Sequence, residues 1–85
     1  MRKIEQTKIF ERGLKKINAN EKKIIDREIR KILESPEKGD RKKGDLAGVY
    51  TVAFKMHGAQ FRLMYAFDAE TITLLRFGSR ENFYR

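Results

Sequence analysis

Apolar residues recur along this chain with two periods, helical in the first half and alternating in the second. Phe10, Leu14 and Ile17 stand at i, i+4 and i+7. That spacing predicts a helix with Thr7 as its N-cap, running to about Ile17. Asn18-Ala19-Asn20 interrupts it, and Asn20 is the expected cap of a second helix from Glu21 to about Glu34. There Ile25, Ile29, Ile32 and Leu33 form the buried stripe, while Lys22, Lys23, Arg27, Arg30 and Lys31 lie mostly off it. Ser35-Pro36 ends this helix, because a residue before proline is pushed out of the α region. Lys3 to Gln6, ahead of both helices, reads as a short strand. From Val49 the period is two: Tyr50, Val52, Phe54 and Met56 share one face, Thr51, Ala53, Lys55 and His57 the other. Phe61, Leu63, Tyr65 and Phe67 mirror the apolar set on a second strand, with Arg62 on the opposite side. Asp68-Ala69-Glu70 is a turn, and Thr71 to Phe77 is a third strand with apolar residues on both faces, suited to an interior position. Gly78-Ser79 is expected to stop it, leaving Arg80 to Arg85 as a short tail with room for a helical turn. The prediction is an α+β fold: two antiparallel N-terminal helices on a small antiparallel sheet, made of the short first strand and a three-stranded meander.

The turn between the first two meander strands fixes which side chains meet. Gly58 suits the first central position of a type II′ turn, so the expected loop is Gly58-Ala59. Lys55 then opposes Arg62, Met56 opposes Phe61, and His57 opposes Gln60. Like charges directly across a sheet destabilise it. Such a pair on an open face makes sense if an anion lies between the charges; screening by solvent and salt accounts for it equally well.

Composition sharpens this. The 85 residues carry twenty Lys and Arg against twelve Asp and Glu, a net charge of +8. A positive field of that strength favours encounter with nucleic acid or an acidic partner, although a solvated lysine-rich surface has the same composition. Residues 1–47 hold fifteen basic and nine acidic side chains, residues 48–85 five and three, and eight of the nine aromatics fall from Tyr50 onward. With no internal repeat or second-domain signature, residues 1–85 are expected to form one domain. The connector from Glu37 to Gly48 contains GDRKKGD, whose turns display Arg41, Lys42 and Lys43; an ordinary charged linker reads the same. There is no cysteine, one histidine and only scattered carboxylates, so neither a metal site nor another cofactor is expected. No P-loop, dinucleotide fingerprint or catalytic triad is present. The N-terminus MRKIEQTKIF lacks the apolar core of a signal peptide, and no run approaches a membrane span, so a cytoplasmic location is expected.

The order strand, two helices, basic loop and meander resembles the RelE/ParE superfamily of bacterial toxins. So do GDLAGVYTVAFKMHGAQFRLMYAF and TITLLRFGSRENFYR, above all Phe61-Arg62-Leu63-Met64-Tyr65 and the apolar strand leading to Gly78-Ser79-Arg80. The resemblance spans nearly the whole chain. It implies a growth-arresting toxin neutralised by a cognate antitoxin, expected to be acidic and amphipathic. RelE-like members are ribosome-dependent mRNA endoribonucleases (mRNA interferases); ParE-like members instead poison DNA gyrase. A homologue that only binds its antitoxin is a third alternative.

On the RelE-type pattern, Lys55, Arg62 and Arg80 match the basic residues of the site, and Tyr84 matches the C-terminal tyrosine at a shorter spacing. The resemblance implies that Arg62 and Arg80 bind the scissile phosphate, that Lys55 adds to the field, and that Tyr84 is the candidate base for the ribose 2′-hydroxyl. Ala53 stands where RelE-type members carry a second lysine, and their tail continues past the tyrosine, so Tyr84 is expected to be ordered only by substrate or ribosome. Histidine or glutamate serves in other ribonucleases of the superfamily, which makes His57 and Glu81 second-rank candidates. Lys22, Lys23, Arg41, Lys42 and Lys43, with Arg27, Arg30 and Lys31, would grip RNA phosphates without reading sequence.

Overall fold

The computed structural model describes residues 2–41 and 48–79. Along the chain run β1 (Lys3–Gln6), α1 (Lys8–Lys15), α2 (Ala19–Glu34), a 3₁₀ turn (Pro36–Lys38), β2 (Asp40–Arg41), β3 (Val49–Met56), β4 (Ala59–Phe67) and β5 (Thr71–Ser79). The strands form one sheet in the order β1-β5-β4-β3-β2. Beyond the expected α+β layers there are three differences in the strands. The connector contributes the two-residue strand β2, and β1 pairs with β5 in parallel, so the sheet is mixed. β5 also runs on through Gly78 and Ser79 instead of stopping before them.

Local chemistry sets the helix starts. The Thr7 hydroxyl accepts the Phe10 N–H at 3.2 Å and caps α1. At α2 the cap is Asn18, not Asn20. Asn18 Oδ1 accepts the Glu21 N–H at 2.8 Å, while Glu21 Oε1 accepts the Asn18 N–H at 2.9 Å. This reciprocal box needs an acidic or amide side chain three residues after the cap. Asn18 has Glu21 there, whereas Asn20 has Lys23, which cannot accept.

Both helices cover one face of the sheet. Phe10, Ile25 and Ile32 pack there against Phe54, Met56, Leu63, Tyr65, Ile72 and Leu74. Each large side chain buried in that layer contributes roughly 1.5–3 kcal/mol. Ile29 and Leu33, also expected in the stripe, are partly buried against the same cluster. Tyr65 is fully buried, and its hydroxyl donates to the Pro36 carbonyl at 2.6 Å, tying the 3₁₀ turn to the sheet. A side chain on Gly39 would collide with that hydroxyl, so glycine is required for this close approach. Burial raises the Tyr65 phenol above its ordinary value of 10.0, with hydrogen bonding at Gly39 opposing the shift.

The β3–β4 register differs from expectation by two residues. Met56 pairs with Ala59, Lys55 with Gln60, Phe54 with Phe61, and Ala53 with Arg62. The loop is His57-Gly58, and both residues have positive φ, 56° and 75°. That geometry is a type I′ turn, whose twist matches the flanking strands. A shift of two leaves every strand side chain on its expected face, while His57, expected on the open face, passes into the turn. Lys55 and Arg62 therefore share a face, but as diagonal neighbours rather than an opposed pair.

The β4–β5 ladder contains a bulge. Met64 pairs with Arg76 and Tyr65 with Leu74, so Leu75 is an extra residue in β5. Before it, Ile72 and Leu74 face the helices; after it, Phe77 does, meeting the Phe10 ring edge-on at 5.2 Å between centroids. Unbroken alternation from Leu74 would have turned Arg76 toward the helices. The extra residue sends it to the open face, a re-aiming that bulges commonly perform. Thr7 helps hold this point, its hydroxyl donating to the Leu75 carbonyl at 2.6 Å.

Candidate functional site

The sheet face away from the helices is assembled in rows by the strand pairing. Lys55 stands beside Gln60; Ala53, Arg62 and Gly78 form the next row; Thr51, Met64 and Arg76 the one after. Lys55, Arg62 and Arg76 thus lie on one diagonal across β3, β4 and β5, successive members about 7–8 Å apart at the backbone. These three strands contain no acidic residue. Asp40 and Glu5 share this side only from the flanking edge strands, opposite Thr51 and Thr73.

Arg62 is the centre of the arrangement. Its cross-strand neighbours are the small residues Ala53 and Gly78. Among the described residues, a side chain added at Gly78 would meet nothing within 4 Å. The partly buried Arg62 therefore lies in a shallow trough, and among the described residues its buried Nε has no hydrogen-bond partner. A buried N–H donor left unpaired is costly, so a turn of the guanidinium that brings this donor to an oxyanion gains more than the same contact at a solvated arginine. Phosphate oxygens fit that requirement. Ala53 explains itself in this geometry: a lysine there would stand directly opposite Arg62.

The other expected residues divide. Lys55 is exposed on this face beside Arg62. His57 is not on it: its Nε2 lies 2.7 Å from Glu21 Oε2, which fastens the hairpin turn to the start of α2. The Asn18 N–H, and after it His57, hold the Glu21 carboxyl below its ordinary value of 4.5. Lys22 and Lys23 are exposed on α2, and Arg41 stands opposite Tyr50, whose ring packs with Tyr65 on the helix side. Lys22 and Lys23 belong to the helix layer and Arg41 to the helix side of the edge strand, all three apart from Arg62. Lys42, Lys43, Arg80, Glu81 and Tyr84 lie outside the described residues. Arg76 is a member of the site that the sequence reading missed; the apolar spacing 72, 74, 77, which breaks the period of two, was the available signal.

A second feature flanks this face. β2 pairs only with Tyr50 and Thr51, so among the described residues Val52–Met56 form an unpaired edge of β3. A cavity of about 500 Å³ lies between that edge and the C-terminal half of α2, lined by Glu28, Lys31, Asp40, Thr51 and Ala53 among others. Glu28 is nearly buried and accepts from Lys31 Nζ at 3.2 Å. Among the described residues, no group of three His, Asp or Glu side chains is placed to hold a metal, and no helix is long and apolar enough to cross a membrane.

A two-helix layer on one face of a small sheet is the α+β fold that the resemblance implies. The model of the ParE-like toxin family of type II bacterial toxin–antitoxin systems matches residues 4–85. The chain belongs to that family, and so to the RelE/ParE superfamily of toxins. Its fold is also that of a chain in the intact E. coli RelBE toxin–antitoxin complex, with a TM-score of 0.72 over 92% of this chain and 95% of that one at 16% identity. No curated protein matches the chain.

Proposed function

We propose that this toxin is a metal-independent, ribosome-dependent endoribonuclease that cleaves mRNA during translation. The observation that carries the reading is the Arg62 Nε, buried and without a partner among the described residues, in a trough on the acid-free central strands. In this scheme the 2′-hydroxyl oxygen attacks the adjacent phosphorus and gives up its proton to a base, for which Tyr84 is the candidate. The bond from phosphorus to the 5′-oxygen breaks, that oxygen takes a proton, and a 2′,3′-cyclic phosphate remains. Arg62 bonds the non-bridging oxygens, whose charge grows in the transition state. Lys55 adds positive potential, and Arg80 is assigned to the same phosphate.

The partner in this reading is a cognate acidic antitoxin, as the RelBE complex pairs a toxin with an antitoxin. Its amphipathic segment would cover the basic face or the helices and extend the unpaired edge of β3. Ribosomal RNA would engage Lys22, Lys23, Arg41, Lys42 and Lys43. The ParE-like description of the matching family favours a second reading, inhibition of DNA gyrase.

Primer extension on cellular mRNA after brief induction separates the two. The nuclease reading predicts cuts inside translated codons, lost in Arg62→Ala. Intact mRNA with trapped DNA breaks supports the gyrase reading, and unimpaired growth supports a homologue that only binds its antitoxin.

A further inference from the structure

Arg76 is placed by the register of β4 and β5 and by the bond at the bulge. The extra residue Leu75 reverses the alternation of β5, the Met64–Arg76 pairing sets the side chain beside Met64, and the Thr7 hydroxyl fixes the carbonyl at the bulge. The result is a third cation on the diagonal through Lys55 and Arg62. Without the bulge, Arg76 would take the place of Phe77 under α1, and Phe77 would stand on the open face instead. The bulge therefore serves the helix layer and the open face together.

We infer that Arg76 binds the phosphate next to the one held by Arg62, so that a single-stranded RNA backbone crosses the sheet obliquely along Lys55, Arg62 and Arg76. This rests on the RNA reading above and extends it. A phosphodiester strand presents one negative charge per nucleotide, so a line of cations on successive strands matches a backbone crossing those strands. Arginine suits the position because its planar fork grips phosphate oxygens in a fixed orientation. Thr7 is a positioning residue for the same contact, acting through the Leu75 carbonyl.

The test is binding of a fluorescently labelled, 2′-O-methylated single-stranded RNA, which cannot be cleaved, followed by anisotropy over a range of salt concentrations. Removing one phosphate contact lowers the salt slope by about 0.7 for a single strand. Arg76→Ala is expected to lose that slope and about tenfold in affinity, as one charge-assisted bond implies. Arg62→Ala should do the same, and Arg76→Lys should keep the slope. Lys15→Ala, exposed on α1 and outside the proposed RNA contacts, should leave affinity and slope unchanged. If Arg76→Ala folds poorly, Arg76→Gln preserves side-chain length and carries the same expectation. Unchanged affinity and slope in a folded Arg76 variant overturn the inference, as does a parent that fails to bind. A parent that binds this RNA through Arg76 but leaves mRNA intact on programmed ribosomes contradicts the nuclease reading alone.

Discussion

On the helix side of the sheet, Leu63, Tyr65, Ile72 and Leu74 are almost wholly buried against Phe10, Ile25 and Ile32. On the opposite side of the same strands stand Lys55, Gln60, Arg62, Arg76 and Gly78, exposed or only partly buried, next to the buried Thr51 and Met64. The first face is filled by volume; around Arg62 the second is cleared by the small residues Ala53 and Gly78. Leu63 and Arg62 are adjacent in sequence, yet one is held by packing and the other presents an unsatisfied donor. Stability and chemistry should therefore separate by face, and substitutions can test how cleanly.

The sharpest contrast comes from those two neighbours. Leu63→Ala should cost about 2–5 kcal/mol in urea unfolding, as a large-to-small change in a closed core does. Arg62→Ala should leave stability within about 1 kcal/mol while lowering RNA cleavage about 10²–10³-fold, the usual effect of losing one transition-state donor. Equal losses of stability in the two variants would erase the distinction between the faces.

Thr7→Val probes the point where the faces are joined. It removes both the cap of α1 and the bond to the Leu75 carbonyl, so unfolding should become easier by about 1–3 kcal/mol. Tyr65→Phe, which leaves the Pro36 carbonyl without its donor, should cost about 1–2 kcal/mol by the same measurement.

The smallest effect concerns acid. Asp68 accepts the Glu70 and Thr71 N–H groups at 2.8 Å each, and these bonds hold its carboxyl below the ordinary value of 3.8. Glu21 is lowered likewise. A carboxyl whose folded pKa is depressed contributes stability at higher pH and loses it as pH falls through the folded value. Urea midpoints should therefore begin to drop below about pH 4.5, and the drop should be shallower in Asp68→Asn, which does not titrate. A steeper drop in that variant would contradict the assignment.

The two faces were unequally legible in the sequence. Helical spacing at Phe10, Leu14, Ile25 and Ile32, and alternation from Tyr50 to Phe67, identify the buried layer directly. Alternation cannot fix a hairpin register, however, because a slip of two residues preserves both faces; the choice of His57-Gly58 over Gly58-Ala59 rests on turn twist. The Asn18 cap was readable from Glu21 three residues on, but Asn20 has the same residue type and drew the assignment. The His57–Glu21 bond joins residues 36 apart and has no local signature. The parallel pairing of β1 depends on how the helices return the chain to β5. Arg76 was hidden because Leu74, Leu75 and Phe77 read as a strand buried on both sides, when the broken period marked a bulge.

The most direct measurement is cleavage of a defined mRNA on purified programmed ribosomes, comparing the parent with Arg62→Ala. The account predicts cutting in the decoding site by the parent and a loss of about 100-fold or more in the variant. Equal cleavage by both proteins, or an uncut message with the folded parent, would contradict it.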